Sequence, residues 1–351
     1  MIGRWASLLL AAVLGSLATE TSATPADTCP PLQIVASVPM TYDITGRPLV
    51  PVTLGAAHEL MLADTGGTFS AISRQAVTEF GLPRHKVPVR QYNVSGKYTD
   101  QAADVSPFAV GRLVANHVAL MIDPDPWKFS RGREAGIIGA NILRNYDVEF
   151  DFGANTFKLI SPDHCRGKVI YWPAASAAAI PMRVAKVFGH VFVPVMLEGV
   201  VLNALVDTGA STSFIPSRTA ENDFALKPGS PDTPAAGLLQ GTTGTPIYRH
   251  RFRSLSLQGI VVHNLTVAVI PDLTPNATFG GRGSGTRLAA NDEAQGFPDV
   301  TLGVDVLKYL HLYIAYKEQM LYVTPAEAPT GRTGIPAPSG AGATARSASP
   351  H

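Results

Sequence analysis

The sequence has 351 residues, 46% hydrophobic and 16% charged, with a formal net charge of +1. That length suits two domains of ordinary size around a sizeable core, and the composition excludes a disordered chain. The near-neutral balance gives no electrostatic basis for binding nucleic acid or an anionic membrane, and 32 glycines with 28 prolines favour turn-rich β structure over a helical bundle.

Residues 1–26 read as a targeting segment. Arg4 supplies a positive charge, residues 5–17 are apolar, and small residues come next, with Thr21-Ser22-Ala23 and Thr24-Pro25-Ala26 as cleavage candidates. The apolar run is short for a bilayer-spanning helix, so a cleaved signal peptide is preferred over an uncleaved anchor, and no later stretch is long and apolar enough to span. Export would place Cys29 and Cys165, the two cysteines, in an oxidising compartment. A disulfide there would tie the mature N-terminus to the middle of the chain; the alternative is two free thiols. No lipoprotein pattern precedes Cys29, so lipidation is not expected.

The chain then repeats itself. Residues 50–73 (VPVTLGAAHELMLADTGGTFSAIS) align without a gap to residues 193–216 (VPVMLEGVVLNALVDTGASTSFIP), at an offset of 143 and with ten identities in twenty-four positions. Within them 50–54, 60–63, 193–197 and 202–206 read as strands. Ser73 is placed to cap a helix ending at Gly81, and Pro216 to open its counterpart at the first turn. Each half closes alike: Gly136-Ile137-Ile138-Gly139-Ala140-Asn141 precedes a hairpin with Val148, Phe150, Phe152, Phe157 and Leu159, and Thr301-Leu302-Gly303-Val304-Asp305 precedes one turning at Lys317-Glu318-Gln319. Residues 161–179, with Pro162, Pro173 and an Ala/Ser run, read as a connector. Residues 274–298 are low-complexity; their glycines come after no clear strand, so a surface insertion is preferred over a phosphate loop. Residues 325–351 have a disordered composition. The expected organisation is a signal peptide (1–26), a first lobe (27–160), the connector (161–179), a second lobe (180–324) and a tail (325–351).

The chemistry centres on Leu62-Ala63-Asp64-Thr65-Gly66 and Leu205-Val206-Asp207-Thr208-Gly209. One Asp-Thr-Gly is an ordinary turn; two, at equivalent places of a repeat and each after an apolar strand, are a stronger signal. The strand delivers a partly buried aspartate, the glycine permits a tight bend that brings amides to the carboxylate, and the threonine hydroxyl can reach the partner loop. Two carboxylates brought together by a pseudo-two-fold axis cannot both ionise cheaply, so they share a proton. Such a pair works as base and acid at once, activating a water and polarising a carbonyl.

These motifs are similar to those of the retropepsin-like aspartic peptidases and, more distantly, of pepsin, over about residues 30–324. The resemblance implies an all-β, two-lobed aspartic peptidase fold, each lobe a closed β unit with short helices. It implies catalytic Asp64 and Asp207, supporting loops with Thr65, Gly66, Thr208 and Gly209, and a later glycine element in each half, Gly139 with Asn141 and Gly303 with Asp305. The family usually has Ala or Ser after Asp-Thr-Gly; here Ala210 fits and Gly67 departs, an extra glycine expected to loosen that loop. Flexible flaps are expected at 92–99, with Tyr92, Gly96 and Tyr98, and at 239–248, with Gly241, Gly244 and Tyr248, the alternative being ordinary surface hairpins. The resemblance thus implies an exported endopeptidase, periplasmic or secreted, acting on a peptide or protein substrate as a monomer with an internal pseudo-dimer and no cofactor or metal. The stretch between signal peptide and first lobe is short, so a large pepsin-like pro-segment is not expected.

Two alternatives compete: an inactive cleft protein holding extended peptides by strand addition, and halves that pair between chains. Other chemistries lack their motifs. The nine histidines show no metal-ligand spacing, no Gly-x-Ser-x-Gly elbow is present, and neither cysteine sits in a nucleophile motif. Asn93, Asn264 and Asn276 begin glycosylation sequons, relevant only in a eukaryotic secretory pathway.

Overall fold

The computed structural model describes residues 29–92, 97–124, 134–238, 244–272 and 298–327. The expected signal peptide, the sequons at Asn93 and Asn276, nearly all of the low-complexity insertion and the tail from 328 onward lie outside the described residues. The fold is mostly β, as expected, with four short helices among the described residues.

Apolar residues at every second position build the paired strands. In Val191–Leu197 the side chains of Val191, Val193, Val195 and Leu197 are buried while Pro194 and Met196 are exposed. Its counterpart Pro48–Leu54 buries Val50, Val52 and Leu54 in the same way. Each carries a proline, Pro51 and Pro194, at the same step of the repeat. Both fit because the strand's second edge is unpaired there: that edge of Pro48–Leu54 is bonded only at 48–49 and 53–54, and that of Val191–Leu197 only at 191–192 and 196–197.

Each half forms its own sheet, ten strands in the first and eight in the second. A third, six-stranded sheet joins them, with Ile34–Pro39, Thr156–Ile160 and Asp147–Asp151 on one side and Leu310–Ala315, Met320–Pro325 and Ala178–Pro181 on the other. The seam is the antiparallel pairing of Val148 with Ile314 and Phe150 with Leu312. One continuous apolar cluster runs through both halves and this sheet, including Val50, Val193, Phe150 and Leu312. Ser73 caps Arg74–Glu79 by accepting from Ala76 N at 3.0 Å, and the chain leaves at Gly81 with φ +61°. Pro216 differs from expectation by one residue. It is the extended cap before Ser217–Phe224, not the first residue of its first turn.

Residues 161–177 hold no strand and pass over the six-stranded sheet. The disulfide between Cys29 and Cys165 (Cα–Cα 5.1 Å) ties them to the first of the described residues. Beneath lies a layer of buried charge. Glu149 is fully buried and accepts from Lys158 Nζ at 2.6 Å and from the Tyr171 hydroxyl, with His311 Nε2 at 3.1 Å. Asp147, also fully buried, meets His164 Nε2 at 2.6 Å and accepts from Tyr313 Oη at 3.1 Å. Trp172 stacks on His311 at 4.0 Å. Burial raises the Asp147 carboxyl above its ordinary range. Burial also opposes the Glu149 charge, but its three donors outweigh that and hold its carboxyl low.

Candidate active site

Each Asp-Thr-Gly loop hangs from the end of a buried strand. Ala57–Ala63 buries its last three residues, Met61, Leu62 and Ala63, and Val200–Val206 likewise buries Ala204, Leu205 and Val206. A parallel neighbour fixes each end. Asp64 N donates to Ile138 O at 3.0 Å, and Asp207 N to Leu302 O at 3.0 Å. These neighbours carry the Gly139 and Gly303 elements, whose glycines are dictated by the loops crossing over them. A Cβ on Gly139 would lie 2.7 Å from Gly67 O, and one on Gly303 would lie 2.7 Å from the Thr212 carbonyl carbon.

A serine, not singled out by sequence, latches each loop to the helix behind it. Ser70 donates through N and Oγ to Asn141 Oδ1 at 2.7 and 2.8 Å and accepts from Gly139 N at 2.9 Å. Ser213 does the same with Asp305 Oδ1, at 2.8 and 2.6 Å, and with Gly303 N at 2.9 Å. Burial raises the Asp305 carboxyl against the Ser213 donors. The signal was present: Ser70 and Ser213 are identical residues at one offset of the repeat.

The two loops interlock. Thr65 Oγ1 donates to Val206 O at 2.7 Å, and Thr208 Oγ1 donates to Ala63 O at 2.6 Å. Each hydroxyl also accepts the other threonine's amide, Thr65 N at 3.0 Å and Thr208 N at 3.1 Å. All four partners are fully buried or nearly so. The interlock brings Asp64 and Asp207 together. Gly66 and Gly67 amides donate to Asp64 Oδ1 at 2.9 and 2.8 Å, and Gly209 and Ala210 amides to Asp207 Oδ1 at 2.9 and 3.1 Å. A Cβ on Gly66 would sit 2.3 Å from the Asp207 carboxyl carbon, and one on Gly209 2.3 Å from that of Asp64, so only glycine fits at either place. Gly67 is tied at both polar groups, since its carbonyl accepts from Ala140 N at 2.6 Å. A Cβ there would come within 2.8 Å of Asp64 Oδ2.

Both aspartates keep some solvent access, yet the surrounding protein strips most of their hydration. Desolvation raises the Asp64 carboxyl, opposed by the Gly66 amide and a hydrogen bond from Asp207. Desolvation, and then the charge of Asp64, put Asp207 well above the ordinary carboxylate range. Both carboxyls are thus raised, Asp207 the further of the two.

The other sequence candidates are spread more widely. Tyr92 ends the strand Arg84–Tyr92 and pairs with Tyr98, the exposed first residue of Tyr98–Val105, whose ring carries Arg90 at 4.7 Å. Gly96 and Gly241 lie outside the described residues. Gly244 has φ +75° in open space, and Tyr248, on Pro246–Leu257, packs partly buried against the core. Among the described residues Glu149, Asp151 and His311 hold ligand atoms within 4.8 Å of one another. Glu149 is already spent on Lys158, His311 and Tyr171, so this group is charge-satisfied within the protein.

A family model described as aspartyl protease matches residues 50–142 and 193–306, together more than half of the chain and one segment per half. No curated protein matches the chain.

Proposed function

The chain belongs to the aspartyl protease family, and on that premise we propose that it is an exported endopeptidase hydrolysing peptide bonds through a water held by Asp64 and Asp207. The observation that carries this reading is the interlock of Thr65 and Thr208, which sets each aspartate's carboxyl against the glycine of the opposite loop. The ionised member takes a proton from the water as its oxygen bonds to the scissile carbonyl carbon, and the protonated member gives its proton to the carbonyl oxygen. In the collapse of the gem-diol the first returns a proton to the leaving nitrogen while the second recovers one from a hydroxyl, so the pair ends as it began. The amides of residues 66, 67, 209 and 210 keep both carboxylates oriented without reorganisation.

Export is supported by the charged-then-apolar N-terminal segment and by the Cys29–Cys165 disulfide. Both halves of the site come from one chain, which supports a monomer with an internal pseudo-dimer, lobes at 27–160 and 180–324, and flaps at 92–99 and 239–248. The test is cleavage of a mixed peptide library from acidic to neutral pH, with and without pepstatin, beside Asp64→Asn and Asp207→Asn. Cleavage by wild type that both variants lose is the expected result. A folded wild type that binds peptides and cuts none would replace the enzyme with a peptide-binding cleft.

A further inference from the structure

The 143-residue offset that superposes the two aspartates also pairs position 47 with 190 and position 43 with 186, and there the halves diverge: Arg47 and Asp43 correspond to His190 and Lys186. Arg47 is rigidly held. Its Nε donates to Asp43 Oδ2 at 2.7 Å and its Nη2 lies 2.6 Å from that oxygen. Asp43 is buried, and its Oδ1 accepts the amides of Thr45 and Arg47 at 2.8 and 2.9 Å. From this mount Arg47 crosses to the other lobe, where Nη1 donates to Gly209 O at 3.5 Å. Gly209 is the residue that abuts the Asp64 carboxylate. A permanent cation therefore stands one residue away from Asp64. His190 makes the mirror-image crossing, with Nε2 3.2 Å from Thr68 Oγ1, but it is a buried ring packed on Phe188 and not a fixed charge. Among the described residues, Asp43 lies beneath Arg47, and the Asp305 carboxylate behind the second loop is turned to Ser213.

We propose that Arg47 is the positioning residue that assigns the roles within the pair. Its charge holds Asp64 as the base that deprotonates the water, and leaves Asp207 as the acid that protonates the carbonyl. The two Asp-Thr-Gly motifs are identical, and Arg47 adds to one side of the pair a fixed charge that has no counterpart at position 190. The electrostatics agree in direction: burial raises Asp64, and Arg47, behind the Gly66 and Gly67 amides, opposes that rise, while burial and then the charge of Asp64 raise Asp207. This inference rests on the proposed peptidase reading for its mechanistic meaning, but its test does not need turnover.

The experiment is an NMR titration of aspartate carboxyl carbons in 13C-labelled protein, assigned with Asp64→Asn and Asp207→Asn. Beside it, the pH profile of kcat/KM is measured. Wild type and Arg47→Lys are expected to ionise Asp64 first. Arg47→Gln with Asp43→Asn, which removes the ion pair without stranding a buried carboxylate, is expected to lose that order. Its acidic limb should rise, but by less than the shift of about one pH unit that a lone unit charge several ångströms away would give, because Asp43 offsets part of the Arg47 field. Arg47→Gln alone replaces it should the double variant not fold. A folded variant without the Arg47 charge that keeps the wild-type order and acidic limb overturns the proposal. A wild type that ionises in the expected order yet cleaves nothing would instead overturn the peptidase reading and leave the assignment standing.

Discussion

Thr208→Val tests whether the interlock holds the two halves together. Valine keeps the volume and replaces the hydroxyl with a methyl, so packing changes little. The losses are the donor to Ala63 O at 2.6 Å and the acceptor for Thr65 N at 3.0 Å, in a place with no solvent exposure. Each buried backbone group deprived of its partner costs about 1–3 kcal/mol, so the pair costs about 2–6 kcal/mol. Whole-protein stabilities run about 5–15 kcal/mol, which makes this a large fraction. Thr208→Ser provides the control, since it keeps the hydroxyl and loses one buried methyl, worth about 1 kcal/mol. Urea unfolding monitored by circular dichroism at constant slope measures both. The valine variant should unfold at clearly lower urea than the serine variant, and peptide cleavage should fall with it. A valine variant within about 1 kcal/mol of wild type, or a serine variant worse than valine, would refute the role given to these hydrogen bonds.

Three further outcomes are expected. Gly209→Ala should lose cleavage, because its Cβ would stand 2.3 Å from the Asp64 carboxyl carbon; cleavage at the wild-type rate in the folded variant would show that the loops separate easily. Asp207→Asn should be more stable than wild type at neutral pH. The raised native carboxyl means that wild type loses stability as pH rises above the ordinary carboxylate value of about 4 and through the native one, a loss the amide does not share. Thermal unfolding across pH 3–8 measures the gap, which should close at the acidic end; a gap of constant size would point to packing instead. His164→Asn should destabilise the connector near pH 6 by about 1.5–3 kcal/mol, the worth of a hydrogen bond to a charged group. Burial opposes the His164 cation, but Asp147 outweighs it and raises the native value. The stabilisation is therefore complete below about pH 6.5 and lost as pH rises through the native value, so wild type and variant should converge in alkaline solution.

Much of the site is written locally, and for that reason was legible. An apolar strand ending in Asp-Thr-Gly specifies where the aspartate emerges, and its recurrence 143 residues later specifies two such ends. The strands, the Ser73 cap and both closing hairpins depend on neighbours in sequence, so period and turn chemistry were enough. Pro216 fell one residue outside its expected place because an extended cap and a first helical residue demand nearly the same φ of proline. The rest depends on which distant segments meet. Asp147, Glu149 and His311 look like the polar face of ordinary strands, and only the passage of residues 161–177 over that face buries them and turns them into a paired layer. Arg47 and His190 carry no motif. They matter because folding brings each against the loop of the other half, at 3.5 Å from Gly209 O and 3.2 Å from Thr68 Oγ1. The sequence by itself determined that two aspartates would be presented in equivalent ways, because presentation is a property of one strand and one turn. The tertiary structure decided that they stand in different fields, because a field is the sum over every charge the fold brings near, whatever its distance along the chain.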